Sequence, residues 1–362
     1  MLYRHNCSVC HCELKNIYSI PNYPINFSCV DKPQYNSIEL SYSICKECGT
    51  IQLDKLAPLD DLYGVNHNTV IVGSTWEKYF NIFASNIKSL IKDKIILEVG
   101  CPTAKIASRS IEFKKWYIVQ PNSNLNIKNV EFIDSYFDDS LKIENIDVII
   151  HSHVFEHIYE PNSFLKKCNS ILKEDGIMYF GVPNMEVIAR DSLAPFCGVM
   201  LEHNIFYNIN NIKYLLNLNG FNIVDIVEYE KHSIFFHCKK GKVYKGEINV
   251  DVYNYFMGSL KYYEEFIKKC NNIISNTDKE VYIFGAVYNS QLILNMGLKP
   301  ILGILDNSKD KQGKFLYGSN LKIYSPSILK DKDCIIILKN GYYSTEIEEQ
   351  LLNINNNLII IN

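Results

Sequence analysis

The chain has 362 residues with 37 basic and 40 acidic side chains, a formal net charge of −3 and a pI near 6.3. That balance leaves no basic stripe for nucleic acid and no basic helix for a membrane surface, and the length suits two or three domains. No apolar run approaches the roughly 20 residues of a bilayer span, and Met1 is followed by no signal-peptide pattern. A cytoplasmic protein is therefore expected, its twelve cysteines reduced and mostly buried as small apolar side chains.

Cys7-x2-Cys10 comes first, and Cys45-x2-Cys48 answers it after a segment broken by Pro21, Pro24 and Pro33. Two such knuckles offer four thiolates from tight turns, the shell of a structural, tetrahedral Zn2+ with no open position. The segment between them looks too proline-broken to hold a large core, so metal binding is expected to supply folding energy. Residues 1–73 form the expected zinc-binding domain. From Ser74 to Ile91 the apolar stripe Trp76, Phe80, Phe83, Ile87, Leu90 and Ile91 predicts a core-facing helix. Lys94–Cys101 reads as a short buried strand ending at Gly100, where a missing Cβ lets a ligand approach the backbone. Trp116–Val119 and Val130–Asp134 read as further strands.

Asn145–Pro183 organises the middle of the chain. Ile146–Ile150 is apolar and β-branched enough for a buried parallel strand. Phe164, Leu165, Cys168, Ile171 and Leu172 fall at helical spacings, Asp175-Gly176 is the expected stop, and Ile177–Val182 reads as the next strand. Ligands bind beyond the carboxyl ends of such strands, so His151–His157, with Ser152 and His153, are expected to face one. Downstream, Glu202-His203 pairs a carboxylate with an imidazole able to act as a general base near neutral pH. A helix over Ile212–Leu218, a cap at Gly220 and an antiparallel pair, Phe221–Tyr229 with Ser233–His237, close the core at about residue 240. The polar run Lys239–Gly246 marks the boundary. A long helix over Val252–Ile274 then leads into a restarted α/β rhythm: strand Val281–Ala286 with Gly285, helix Ser290–Met296, strand Ile301–Leu305 ending at Asp306, and strands at Cys334–Leu338 and Leu358–Ile361. Three domains, 1–73, 74–240 and 241–362, follow from these boundaries.

The whole order resembles the sugar C-methyltransferase family that acts on nucleotide-linked keto-deoxysugars. The matching pieces are the paired knuckles with C-G-x-x-Q-L at Cys48–Leu53, the V-F-E-H-I core, V-P-N at Val182–Asn184, E-H-x-x-x-Y at Glu202–Tyr207, Gly220-Phe221, and Gly285 with D-N-S-K-D-K-Q-G-K-F from Asp306, while L-K-x-x-G at Leu172–Gly176 resembles class I methyltransferases in general. The resemblance implies an α/β fold: a class I methyltransferase Rossmann-like core between the zinc domain and a small Rossmann-like C-terminal domain. It implies S-adenosylmethionine as cofactor, with Glu98 and Gly100 matching the start of the glycine loop and Gln120 standing where an acid binds the ribose. Ser152 and His153 join this cofactor set. His203 is implied as base, supported by Glu202, and the partner is a nucleotide-linked sugar used in surface-glycan or secondary-metabolite assembly, bound by a monomer or weak homo-oligomer. Four departures stand out: the second loop glycine is missing after Cys101-Pro102, Gln120 is neutral, Val65–Thr69 replaces a Tyr-x-Tyr stretch, and Met200-Leu201 replaces two polar aromatics. They leave open whether the acceptor is carbon, oxygen or nitrogen. They also admit a degenerate relative that binds a nucleotide or sugar without methylating it.

Overall fold

The computed structural model describes residues 2–63, 74–101, 103–121, 127–191, 198–339, 341 and 344–362. The N-terminal region holds β1 (Leu2–Tyr3), β2 (Leu14–Pro24), β3 (Cys29–Val30), β4 (Ser37–Cys45), β5 (Ile51–Leu53), β6 (Lys55–Leu56) and α1 (Leu59–Tyr63). The stretch that looked too proline-broken to hold a large core alone is a long antiparallel pair, β2 with β4. β2 is an edge strand of its sheet, where a proline costs no ladder hydrogen bond, so Pro21 and Pro24 are tolerated.

The central region follows: α2 (Ser74–Ile91), β7 (Ile95–Val99), β8 (Lys115–Val119), β9 (Val130–Ile133), β10 (Ile146–Ser152), α3 (Pro161–Ile171), β11 (Leu172–Pro183), α4 (Met185–Arg190), β12 (Ile205–Phe206), α5 (Ile209–Leu218), β13 (Phe221–Tyr229) and β14 (Ser233–Lys240). Seven strands form one sheet in the order β13-β14-β11-β10-β7-β8-β9. β9 through β11 run parallel, and β14 lies antiparallel to β11. The order reverses between β7 and β10, which opens a crevice beyond their carboxyl ends. On one face α2 packs Tyr79, Phe83, Ile87 and Ile91 against Ile96, Trp116, Ile118, Val148 and Ile150. On the other, α3 and α5 bury Phe164, Leu165, Ile212 and Leu215 against Leu97, Val119, Ile149 and Phe180. The helix α3 ends at Ile171, earlier than the expected stop at Asp175-Gly176, because Leu172 already pairs with Ile146 of β10 and the strand resumes after a register shift. Between β7 and β8 the described residues hold only a 3-10 turn, Ala107–Arg109.

The C-terminal region comprises α6 (Tyr253–Ser275), β15 (Glu280–Phe284), α7 (Tyr288–Asn295), β16 (Gly303–Leu305), β17 (Phe315–Leu316), β18 (Ile323–Tyr324), β19 (Cys334–Ile337), α8 (Ser344–Ile354) and β20 (Ile359–Ile361). Its five-stranded sheet, β18-β16-β15-β19-β20, is parallel throughout. The three regions interlock. β12, from the central region, extends the N-terminal sheet by pairing with β5, and β17 pairs with β3. One apolar cluster runs from Leu40 and Phe206 through Phe256 and Tyr263 to Ile283 and Ile304. Among the described residues no helix is long and apolar enough to cross a membrane.

Candidate functional site

Gly100, Gln120, Ser152 and His153 stand at or just beyond the carboxyl ends of β7, β8 and β10. Gly100 takes a left-handed φ of +70° and donates its N–H to the Val119 carbonyl at 3.0 Å. A Cβ there would stand 2.7 Å from Val154 Cγ2, so only glycine lets the two turns meet. Gln120 follows Val119 directly, half-buried, its Nε2 donating to the Pro121 carbonyl at 3.2 Å. Glu98 differs from its expected place. Its carboxylate is buried inside the sheet, accepts from Trp116 Nε1 at 2.9 Å and is pushed up to about 7 by burial. Its other oxygen is buried without a hydrogen-bond partner.

The turn after β10 is held on all sides. His153 has a φ of +52° and its N–H donates to the Gly181 carbonyl at 2.8 Å. Its Nε2 meets Ser233 Oγ at 3.1 Å, and its ring lies edge-on to Trp76 at 5.0 Å. Ser152 Oγ bonds the Tyr79 hydroxyl at 2.8 Å. Glu156 is fully buried, 3.3 Å from His153 Nδ1. Burial alone would raise its pKa, but the His153 contact and the charges of His153, His157 and His203 hold it down at about 2.

The segment carrying Glu202 and His203 reaches this turn through Asn204. The Asn204 side-chain amide donates to the carbonyls of Glu156 and Ile158, at 2.9 and 3.1 Å, and its backbone accepts from Leu53 of β5 at 2.9 Å. Arg4 donates to Asn204 Oδ1 at 3.1 Å and to the Tyr159 carbonyl at 2.6 Å, closing the joint. His203 is thereby set edge-on to His157, ring centroids 4.9 Å apart. Glu202 accepts a hydrogen bond from Tyr288 at the start of α7, and its other oxygen lies 4.0 Å from His157 Nδ1. Burial pushes Glu202 up to about 7. Tyr63 meets His157 Nδ1 at 2.8 Å. A cavity of about 10 Å³, room for roughly one water, is lined by Glu202, Tyr288, Tyr23, Leu62, Leu201 and Gln291.

Two phenols reach these side chains, Tyr63 at His157 and Tyr288 at Glu202. Val65–Thr69 lies outside the described residues. Sequence reasoning missed Tyr288 because it stands in the C-terminal region, with no motif linking it to Glu202. Glu156 sat inside the quoted V-F-E-H-I run, but its burial was not legible.

Cys7, Cys10, Cys45 and Cys48 converge, their sulfurs all within 4.8 Å of one another. Cys7 and Cys48 lie 3.7 Å apart, and Cys10 and Cys45 3.4 Å. Thiolates around one Zn2+ at about 2.3 Å stand roughly 3.8 Å apart, so the donor set and spacing fit that ion. Backbone N–H groups of Val9 and Cys48 point at Cys7 and Cys45 sulfurs, at 3.4 and 3.5 Å, and Gln52 Nε2 donates to Cys7 at 3.1 Å. Asn211 of α5 donates to Thr50 Oγ1 at 2.7 Å, tying the cluster to the central region.

Residues 75–226 match the family described as a methyltransferase domain. Together with the sheet order and the crevice at its reversal, this makes the central region a class I S-adenosylmethionine-dependent methyltransferase domain. Among solved structures, the chain is similar to a 1,6-didemethyltoxoflavin-N1-methyltransferase of Burkholderia thailandensis, with 12% identity over 47% of this chain and 82% of that one and a TM-score of 0.37. It is also similar to the N-methyltransferase NodS of Bradyrhizobium japonicum WM9 (11% identity, 47% and 90% of the two chains, TM-score 0.38). An Aquifex aeolicus methyltransferase shares 17% identity over 47% of this chain and 94% of its own, with a TM-score of 0.37. No curated protein matches the chain.

Proposed function

We propose that the chain transfers a methyl group to a nucleotide-linked sugar, with His203 as general base and Zn2+ as a structural ion at the four thiolates. The observation that carries this reading is the joint at Asn204. It seats Glu202-His203 on the turn whose Val154 packs against Gly100, so a base and the glycine loop share one sheet edge. S-adenosylmethionine bound beside Gly100 and Gln120 would supply an electrophilic methyl on a sulfonium. The chain's own task is then alignment and proton removal. His203 would take the proton of the acceptor, and Glu202 would hold a substrate hydroxyl or orient the imidazole. Tyr63 and Tyr288 would donate to oxygen at the acceptor, stabilising an enolate if the acceptor is carbon.

A second reading, binding of a nucleotide or sugar without methyl transfer, is favoured by the lone 3-10 turn after Gly100 and by the neutral Gln120. Titration calorimetry of the full chain with S-adenosylmethionine separates the two. Saturable micromolar binding is expected of the methyltransferase, and no binding at millimolar concentration overturns it.

A further inference from the structure

The turn after β10 and the segment before β12 bring a second set of metal-competent groups together. One ligand atom each from Glu156, His157 and His203 lie within 4.8 Å of one another, and this set shares no residue with the thiolate cluster. Donors at 90–110° around one ion at about 2.1 Å stand roughly 3.0–3.4 Å apart, so the three side chains need only draw inward by rotamer adjustment to close the set on a cation.

Glu156 supplies an independent reason to expect positive charge here. It is 0% exposed, yet neither of its oxygens accepts a hydrogen bond. His153 Nδ1 is an ion-pair partner 3.3 Å from Oε1, and Oε2 is buried without one. A fully buried carboxylate is costly unless it is paired or coordinates a metal. The second layer is also in place: Tyr63 lies 2.8 Å from His157 Nδ1, the kind of outer partner that fixes the orientation of a ligating imidazole.

We propose that Glu156, His157 and His203 form a divalent transition-metal site, separate from the thiolates, that leaves coordination positions open to the substrate. Two imidazoles and one carboxylate are the donor set of such open sites, whereas a four-thiolate shell prefers softer ions. The proposal deepens the methyl-transfer reading by giving the same residues a Lewis-acid role toward a sugar oxygen, whose proton a bound cation makes easier to remove. In the ion-bound state His203 is a ligand, and the proton passes instead to the neighbouring Glu202 carboxylate, 4.0 Å from His157 Nδ1.

The test is titration of the full chain with MnCl2 in the absence of any methyl donor, reading free Mn2+ by electron paramagnetic resonance. Its outcome is therefore independent of whether methyl transfer occurs. One saturable site with a dissociation constant below about 1 mM, Mn2+ being the weakest binder of its series, supports the proposal if Glu156→Gln and His203→Gln each weaken it at least about tenfold. Circular dichroism confirms that each variant is folded. If Glu156→Gln fails to fold, His203→Gln alone decides. Wild-type protein with no saturable site below about 1 mM, or a folded variant that binds Mn2+ as the wild type does, overturns it.

Discussion

His203 and Glu202 are sequence neighbours that meet different partners, His157 and Tyr288. With His203 as the general base, His203→Gln should lower turnover by about two to four orders of magnitude, with little change in S-adenosylmethionine affinity. Steady-state kinetics and calorimetry check the pair of results. Glu202 carries a pH dependence of its own. Its carboxyl titrates near 7 in the folded chain against an ordinary 4.5, so between those values the native state keeps a proton that the unfolded chain has released. Its stabilising contribution is complete below pH 4.5 and lost as pH rises through 7. Glu202→Gln, which can still accept from Tyr288, should therefore gain up to about 3 kcal/mol on the wild type at pH 8 and nothing at pH 4, by urea denaturation. His151 runs the other way. It is buried with both ring nitrogens unbonded, stacked on Phe180 at 4.5 Å, and burial lowers its pKa to about 3. Neutral His151 is tolerated above pH 6.5, and stability falls as pH drops from there toward 3. His151→Phe should raise the melting temperature more at pH 5 than at pH 7.5, read by circular dichroism.

At the scale of elements, the joint between β5, β12 and the turn after β10 hangs on one side chain. Asn204→Ala would leave the Ile158 carbonyl and a guanidinium N–H of Arg4 without that partner, while the Glu156 carbonyl keeps the Asn204 backbone N–H at 3.1 Å. Each orphaned buried group costs about 1–3 kcal/mol, so the variant should lose several kcal/mol in urea denaturation and release the Glu202–His203 segment from its seat. The turn after Cys48 is equally constrained. Gly49 has a φ of +76°, and a Cβ there would come 2.0 Å from the Val250 carbonyl oxygen. The chain leading into α6 must therefore pass directly over the second knuckle, and only glycine permits it.

In the whole molecule, the shared apolar cluster and the β3–β17 pair make the N- and C-terminal regions depend on each other. The thiolate cluster in turn packs against α5 through Tyr214 and Leu215. Metal analysis should find about one Zn2+ per chain held by thiolates. Cys45→Ser should lose that ion and much of the solubility together, because the ligands anchor one core to another. A wild-type chain free of zinc, or a Cys45→Ser variant of unchanged stability, would remove the structural-ion reading.

The sequence by itself determined most of the elements. The helix at 74–91 and the strands around Ile146–Ile150, Phe221–Tyr229 and Cys334–Leu338 were legible because period and β-branching act locally. The thiolate knuckles were legible because two ligands three residues apart declare themselves. Local pattern failed where pairing partners are distant: β2 looked broken by proline until β4 covered one side and left the other as an edge. The same limit hid the site. Glu156 became a buried carboxylate among imidazoles, and Tyr288 a partner of Glu202, only when three regions closed on one another. Burial and long-range hydrogen bonds, which set the charge of these groups, are properties of packing that no stretch of sequence carries alone.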